Sequence, residues 1–121
     1  LAEEIKYSLD FSDYRLGNDG LKAIIPTLES DHLLNIKVLD VSNNSLNDAG
    51  LLPLIDSLAS LGSPIEELNI SGNNLSDYIC QIISDKIREK KSGIRYLRKV
   101  IIDACKKITE DGKRIILLAT N

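Results

Sequence analysis

Methionine and tryptophan are absent from this 121-residue chain, aromatic residues make up 4% of it, and it holds a single histidine. A core must therefore be aliphatic, and Leu and Ile supply most of the 43% hydrophobic content. The two cysteines, Cys80 and Cys105, are too few for a disulfide framework, and no cationic stretch followed by an apolar one opens the chain. A reducing, cytoplasmic setting is the expectation. No apolar run approaches the roughly 20 residues of a membrane helix, and the run from Ile115 to Ala119 stops at five. Because the chain begins at Leu1 and lacks Met, it is expected to be an excised or processed piece of a longer one.

Catalytic and metal-binding patterns are equally sparse. A nucleophilic triad needs a base beside a Ser or Cys, and the lone imidazole, His32, falls in a predicted loop where nothing pairs with it; it reads as a solvated loop histidine. There is no CxxC, no HExxH and no glycine-rich phosphate loop, so structural zinc and P-loop chemistry have no support. The expectation is a protein that is not an enzyme, holds no cofactor and has no small-molecule substrate.

What the chain does have is a repeat. Leu9-Asp-Phe-Ser-Asp-Tyr-Arg-Leu16, Leu39-Asp-Val-Ser-Asn-Asn-Ser-Leu46 and Leu68-Asn-Ile-Ser-Gly-Asn-Asn-Leu75 superimpose without gaps at steps of 30 and 29 residues. A fourth copy, Val100 to Ile108, follows after 32 and carries one extra residue before its last apolar position. In each copy a period-2 stretch, such as Leu39 and Val41 inward with Asp40 and Ser42 outward, predicts a short strand. After a polar turn, Leu51, Leu54, Ile55 and Leu58 fall at helical spacing and predict a helix that covers the strand. One such unit cannot bury both faces alone, so stacked units must share a core.

This pattern resembles the leucine-rich repeat, LxxLxLxxN/CxL. The downstream stretches Leu16-Gly-Asn-Asp-Gly20 and Leu46-Asn-Asp-Ala-Gly50 resemble the ribonuclease-inhibitor-like subclass. The resemblance implies an α/β fold: a right-handed solenoid of four strand–helix units, at about 5–32, 33–61, 62–93 and 94–121, forming a single domain with a parallel sheet on its concave side and helices on its convex side. Asn44 and Asn73 stand where the chain leaves the strand, where an amide side chain can bond its own and the neighbouring turn. Cys105 takes that slot in the fourth unit and Cys80 takes the place of Leu51, so both read as buried structural thiols. Tyr14 replaces the ladder Asn in the first unit, and Leu1 to Lys6 read as the remnant of a preceding helix. The third helix is predicted to run on through Ile87 to Gly93, which would account for the 32-residue step.

Stacking would set equivalent strand positions about 4.8 Å apart. It lines up Asp10, Asp40, Asn69 and Ile101 in one row and Ser12, Ser42, Ser71 and Asp103 in another. Neighbouring carboxylates repel, and such a cost marks a candidate site. Three readings stay open: a partner-facing surface, which is favoured; a plain solvated face; and Ca²⁺ held by Asp10, Asp40 and Asn69. Residues 1–80 carry 4 Lys/Arg against 13 Asp/Glu, and residues 81–121 carry 11 against 5. The face should thus run from acidic, extended by Glu66 and Glu67, to basic at Arg98 and Lys99. The cations Lys86, Arg88, Lys90, Lys91 and Arg95 continue the basic end, either as a surface for an anionic partner or as a solvated helix end. With Tyr96 the only aromatic among them, nucleic acid is disfavoured.

The resemblance implies a protein–protein interaction module that binds its partner through Asp10, Ser12, Asp40, Ser42, Glu67, Asn69, Ser71, Lys99 and Asp103. It implies, as alternatives, a regulator of a partner enzyme, GTPase-activator-like or inhibitor-like, or a structural repeat segment of a larger multidomain protein or bacterial effector.

Overall fold

The computed structural model describes residues 7–89 and 93–121. Strands and helices alternate as β1 (Ser8–Asp10), α1 (Gly17–Asp31), β2 (Val38–Asp40), α2 (Asp48–Ser60), β3 (Glu67–Asn69), α3 (Asp77–Arg88), β4 (Lys99–Ile101) and α4 (Glu110–Thr120). The strands pair in chain order and all in parallel, with Leu9 beside Leu39, Leu39 beside Leu68 and Leu68 beside Val100. That is the register the self-alignment demands. Parallel neighbours need a crossover rather than a tight turn, and α1, α2 and α3 supply the three. The result is a solenoid with the sheet on one side and the helices on the other. Among the described residues no helix is long and apolar enough to cross a membrane.

The middle units carry the core. Leu39, Val41, Leu46, Leu51, Leu54, Ile55 and Leu58 of the second unit are fully buried, as are Leu68, Ile70, Leu75, Ile79, Cys80 and Ile83 of the third. In the terminal units the equivalents Leu9, Phe11 and Leu16, and Val100 and Ile102, are only partly buried. A repeat unit buries its sides against neighbours, and among the described residues these two rows have a neighbour on one side only.

The turn that leaves each strand uses the same backbone device. Asp13, Asn43, Gly72 and Ala104, each four residues after the first inward strand position, have φ of 60°, 54°, 67° and 55°. Left-handed backbone is low in cost for Gly and tolerable for Asn or Asp, which explains three of the four residue types. A Cβ at Gly72 would also lie 1.8 Å from Oδ1 of the exposed Asn43 side chain, which would have to shift.

The third helix differs from expectation. It ends at Arg88, where Glu89 turns extended (φ −63°, ψ 135°), and its 12 residues make it shorter than α1 with 15 or α2 with 13. The longer repeat step lies instead between α3 and β4, since Arg88 and Lys99 are farther apart in sequence than Asp31 and Val38 or Ser60 and Glu67. Periodic apolar residues continue to Ile87, but helix propagation stops where the following backbone turns to meet the next strand. The proposed start of the first unit near residue 5, the helix remnant Leu1 to Lys6, and Lys90 and Lys91 lie outside the described residues.

Two substitutions probe this backbone. Ala104→Gly relieves a left-handed alanine and is expected to raise stability by about 1 kcal/mol. Gly50→Ala places a Cβ 1.7 Å from Asn18 Oδ1 and is expected to lower it by about 1–3 kcal/mol. Urea midpoints of the two variants should move in opposite directions, and movement in the same direction would contradict the assignment.

Candidate interaction face

Two rows of side chains tie the units together. Asn44 Nδ2 donates to the carbonyls of Phe11, Val41 and Ser42 at 2.8, 3.1 and 3.0 Å. Its Oδ1 accepts the amides of Tyr14 and Leu16, both at 3.1 Å. Asn73 repeats the set one unit on: it donates to Val41, Ile70 and Ser71 and accepts from Asn44 and Leu46. Both amides are buried, and most of the turn groups they bond have no backbone partner. Cys105 holds the slot in the fourth unit, where its thiol donates to the Ile70 carbonyl at 3.5 Å. Tyr14, in the first unit, is 64% exposed.

A second row, missed from the sequence, runs along the helix N-termini. Asn18 Oδ1 accepts the Asn47 amide at 3.2 Å, Asp48 Oδ1 the Ser76 amide at 2.9 Å, and Asp77 Oδ1 the Thr109 amide at 2.8 Å. Asp48 also accepts from the Ser76 hydroxyl and Asp77 from the Thr109 hydroxyl. The Thr109 hydroxyl, and then its amide, lower the Asp77 pKa from its ordinary value. The available signal was a polar side chain two residues after Leu16, Leu46 and Leu75.

On the sheet, Asp10 lies beside Asp40 and Asp40 beside Asn69. Each closes a local turn as well: Oδ1 of Asp10, Asp40 and Asn69 accepts the amide of Ser12, Ser42 and Ser71 at 2.8, 2.9 and 3.0 Å. The Ser12 hydroxyl, followed by that amide, lowers the pKa of Asp10. Asn69 Nδ2 also donates to Asp40 Oδ2 at 3.5 Å. The acidic row therefore has a folding role in every unit that carries it, which the repulsion argument had not included. Asp10 is exposed, and Asp40 and Asn69 are half-buried.

The second predicted row is less uniform. Ser42 is 5% exposed, which corrects the expectation that it faces outward: alternation ends with the three-residue strand, and the chain is already turning in. Ser12 and Ser71 are half-buried and Asp103 is exposed, with Ser71 Oγ accepting the Asp103 amide at 3.0 Å. Glu67 stands directly opposite Lys99. Arg98 reaches Glu66 at 3.4 Å and Glu67 at 3.5 Å, and Lys37, which sequence reasoning overlooked, reaches Glu66 at 3.7 Å. Charge at the basic end is thus partly balanced within the protein. Lys86 likewise meets Glu89 at 3.2 Å and Asp56 at 3.8 Å.

His32 also differs from expectation. Its Nδ1 is hydrogen-bonded to the Tyr7 hydroxyl and its ring stacks on Tyr7 at 5.7 Å, so it docks the loop after α1 against the strand entrance. Among the described residues no group of three or more His, Cys, Asp or Glu is gathered as a metal site.

Two stretches of the chain, residues 32–54 and 63–79, match the family model described as Leucine Rich repeat. They hold the second strand with the start of its helix, and the third strand through Ile79. The four parallel strands and four alternating helices are consistent with a leucine-rich-repeat solenoid, and the matched stretches support it. Comparison with curated proteins finds no match.

Both cysteines are buried. Burial, with a smaller contribution from Asp77, pushes the Cys80 thiol up to about 12, and burial also raises Cys105. A thiol whose pKa is raised by folding contributes stability that is complete below the ordinary thiol pKa and is lost as pH rises toward the folded value. Stability should therefore fall from pH 9 toward pH 12. At pH 8 iodoacetamide should label neither thiol in the native protein and both in urea. Rapid native labelling of Cys80 would contradict its placement.

Proposed function

We propose that this leucine-rich-repeat solenoid binds a protein partner across its strand face, with Asp10, Asp40, Asn69, Glu67, Lys99 and Asp103 as the groups that meet it. Ser42 is left out because it is buried. The observation that carries the reading is the register, which sets Asp10, Asp40 and Asn69 side by side and Glu67 against Lys99. Repeats of this family generally mediate protein–protein interaction. A face of fixed polar groups on a rigid scaffold suits that task.

Charge on the face favours a partner with cationic groups opposite strands β1 and β2 and an anionic group opposite Lys99. Complementary charges raise the rate of encounter and fix register more than they raise affinity. The helices of 11 to 15 residues in all four units and the steps of 29 to 32 residues support a ribonuclease-inhibitor-like subclass.

The test is affinity capture with the wild-type chain and with Asp40→Lys combined with Lys99→Glu, after circular dichroism has shown that both fold. A partner identified on the wild type should be retained about tenfold less by the variant, a loss of about 1.4 kcal/mol. Equal retention of every captured protein would remove the strand face as the binding surface.

A further inference from the structure

The turns that lead from strand to helix form an edge of the solenoid that the strand face does not include. Short parallel bridges set Asn47 beside Asn74 and Ser76 beside Lys107, so the backbone under these side chains is held in step from the second unit to the fourth. Two grooves of about 290 and 210 Å³ lie on this edge. Asn74 lines both, with Asn47, Asp48 and Lys107 in the first and Lys106 in the second.

The first groove opens where two helices stand apart. Four positions after Leu16, Leu46 and Ile108 stands a glycine, whereas Leu75 is followed at that distance by Ile79. A Cβ on Gly50 would lie 1.7 Å from Asn18 Oδ1, and one on Gly112 2.2 Å from Asp77 Oδ1, so at those two seams successive helices start in close approach. Ile79 places a fully buried side chain at the equivalent point. The backbones of α2 and α3 accordingly run close along less of their length than those of α1 and α2 or of α3 and α4. Asp48 and Ala49, which open α2, and Ser76, which precedes α3, line the groove at the start of that wider seam.

What the grooves offer is donors. Asn47 Oδ1 is taken by the Asn18 carboxamide and the Gly50 amide, which leaves Nδ2 as its free end. The Asn74 carboxamide and the ammonium groups of Lys106 and Lys107 have no hydrogen-bond or ion-pair partner among the described residues, and all three side chains are exposed. Asp48, the one carboxylate lining either groove, already accepts the Ser76 amide and hydroxyl. The strand face is the reverse case, because Asp10, Asp40, Asn69 and Glu66 use oxygens on bonds within the protein.

Cations and donors without acceptors select an anion. No aromatic side chain lines either groove, which removes the stacking that single-stranded nucleic acid uses. Ala49 and Ala104 are the only apolar side chains lining them, too little apolar surface to enter a lipid interface. Carboxylates fit, since each accepts from ammonium and carboxamide groups in charge-assisted hydrogen bonds.

We propose that this edge docks a short acidic segment of a partner protein, with Asn47, Asn74, Lys106 and Lys107 receiving its carboxylates. The surface is separate from the strand face and does not depend on it.

Titration of the ¹⁵N-labelled chain with the peptide acetyl-Gly-Glu-Gly-Glu-Gly-Glu-Gly-amide, followed by heteronuclear NMR, tests this. Saturable shifts are expected at the side-chain amides of Asn47 and Asn74 and the backbone amides of Ala49, Lys106 and Lys107, with a Kd of about 0.1–1 mM, as suits a few exposed charged contacts. Lys106→Gln with Lys107→Gln should weaken binding about tenfold, and Asn74→Ala about threefold. These side chains bond nothing within the fold among the described residues, so both variants should fold as the wild type does. The same peptide with glutamine in place of glutamate should not bind, and salt near 1 M should reduce binding of the glutamate form. No saturable shift up to about 10 mM peptide, undiminished binding by the double-glutamine variant, or equal shifts at Arg98 and Lys99 would overturn the proposal. So would displacement of the peptide from these residues by inorganic phosphate or by a thymidine oligonucleotide at lower concentration, which would assign the edge to a free anion or to nucleic acid.

Discussion

Where each strand of the middle units ends, one buried amide side chain holds two turns at once. Asn44 and Asn73 each use a single carboxamide to reach three carbonyls and two amides across two successive units. Strands of three residues leave little ladder to hold a stack together, and several turn groups beyond them, such as the amides of Asn44 and Leu46, would otherwise lack partners. An unpaired buried polar group costs about 1–3 kcal/mol, so removing one such amide exposes the stack to several such costs together. The aliphatic core supplies the driving force for stacking, and the amides bond each turn to the next.

From that arrangement the rest follows outward. Strand register is set, so Asp10, Asp40 and Asn69 come to lie side by side and Glu67 opposite Lys99. The helix starts are aligned too, which allows Asp48 and Asp77 to cap the next unit's first amide. Each acidic group near the sheet then serves folding and surface together. Asp10 and Asp40 each use Oδ1 on a turn amide, and Asp40 Oδ2 also accepts from Asn69 on the next strand. A partner that reads this face meets groups already fixed in place, which lowers the ordering cost of binding.

The repeat made much of this legible. Gapless alignment of Leu39 to Leu46 with Leu68 to Leu75 gave the strand register, the inward rows and the ladder asparagines directly, because each is a property of one unit copied to the next. Features that depend on contact between different residue types were hidden. Asn18, Asp48 and Asp77 share one function without sharing an identity, and Tyr7 finds His32 from 25 residues away. Ser42 was misread because alternation was carried past the end of a strand too short to sustain it. Helix α3 was overextended because apolar spacing through Ile87 does not record where the backbone must turn toward β4. Among the proposed face residues, the row containing Asp10, Asp40 and Asn69 was readable as a row, while its turn-closing role needed coordinates.

The central claim, that buried asparagines bind successive turns into one cooperative stack, is open to native-state hydrogen exchange. The amides of Asn44 and Leu46 lie outside any strand, and each donates to Asn73 Oδ1 at 3.0 Å. They should exchange as slowly as the strand amide of Leu39, by opening of the whole stack. Exchange of Asn44 and Leu46 at the rate of an open loop, while Leu39 remains protected, would contradict the account.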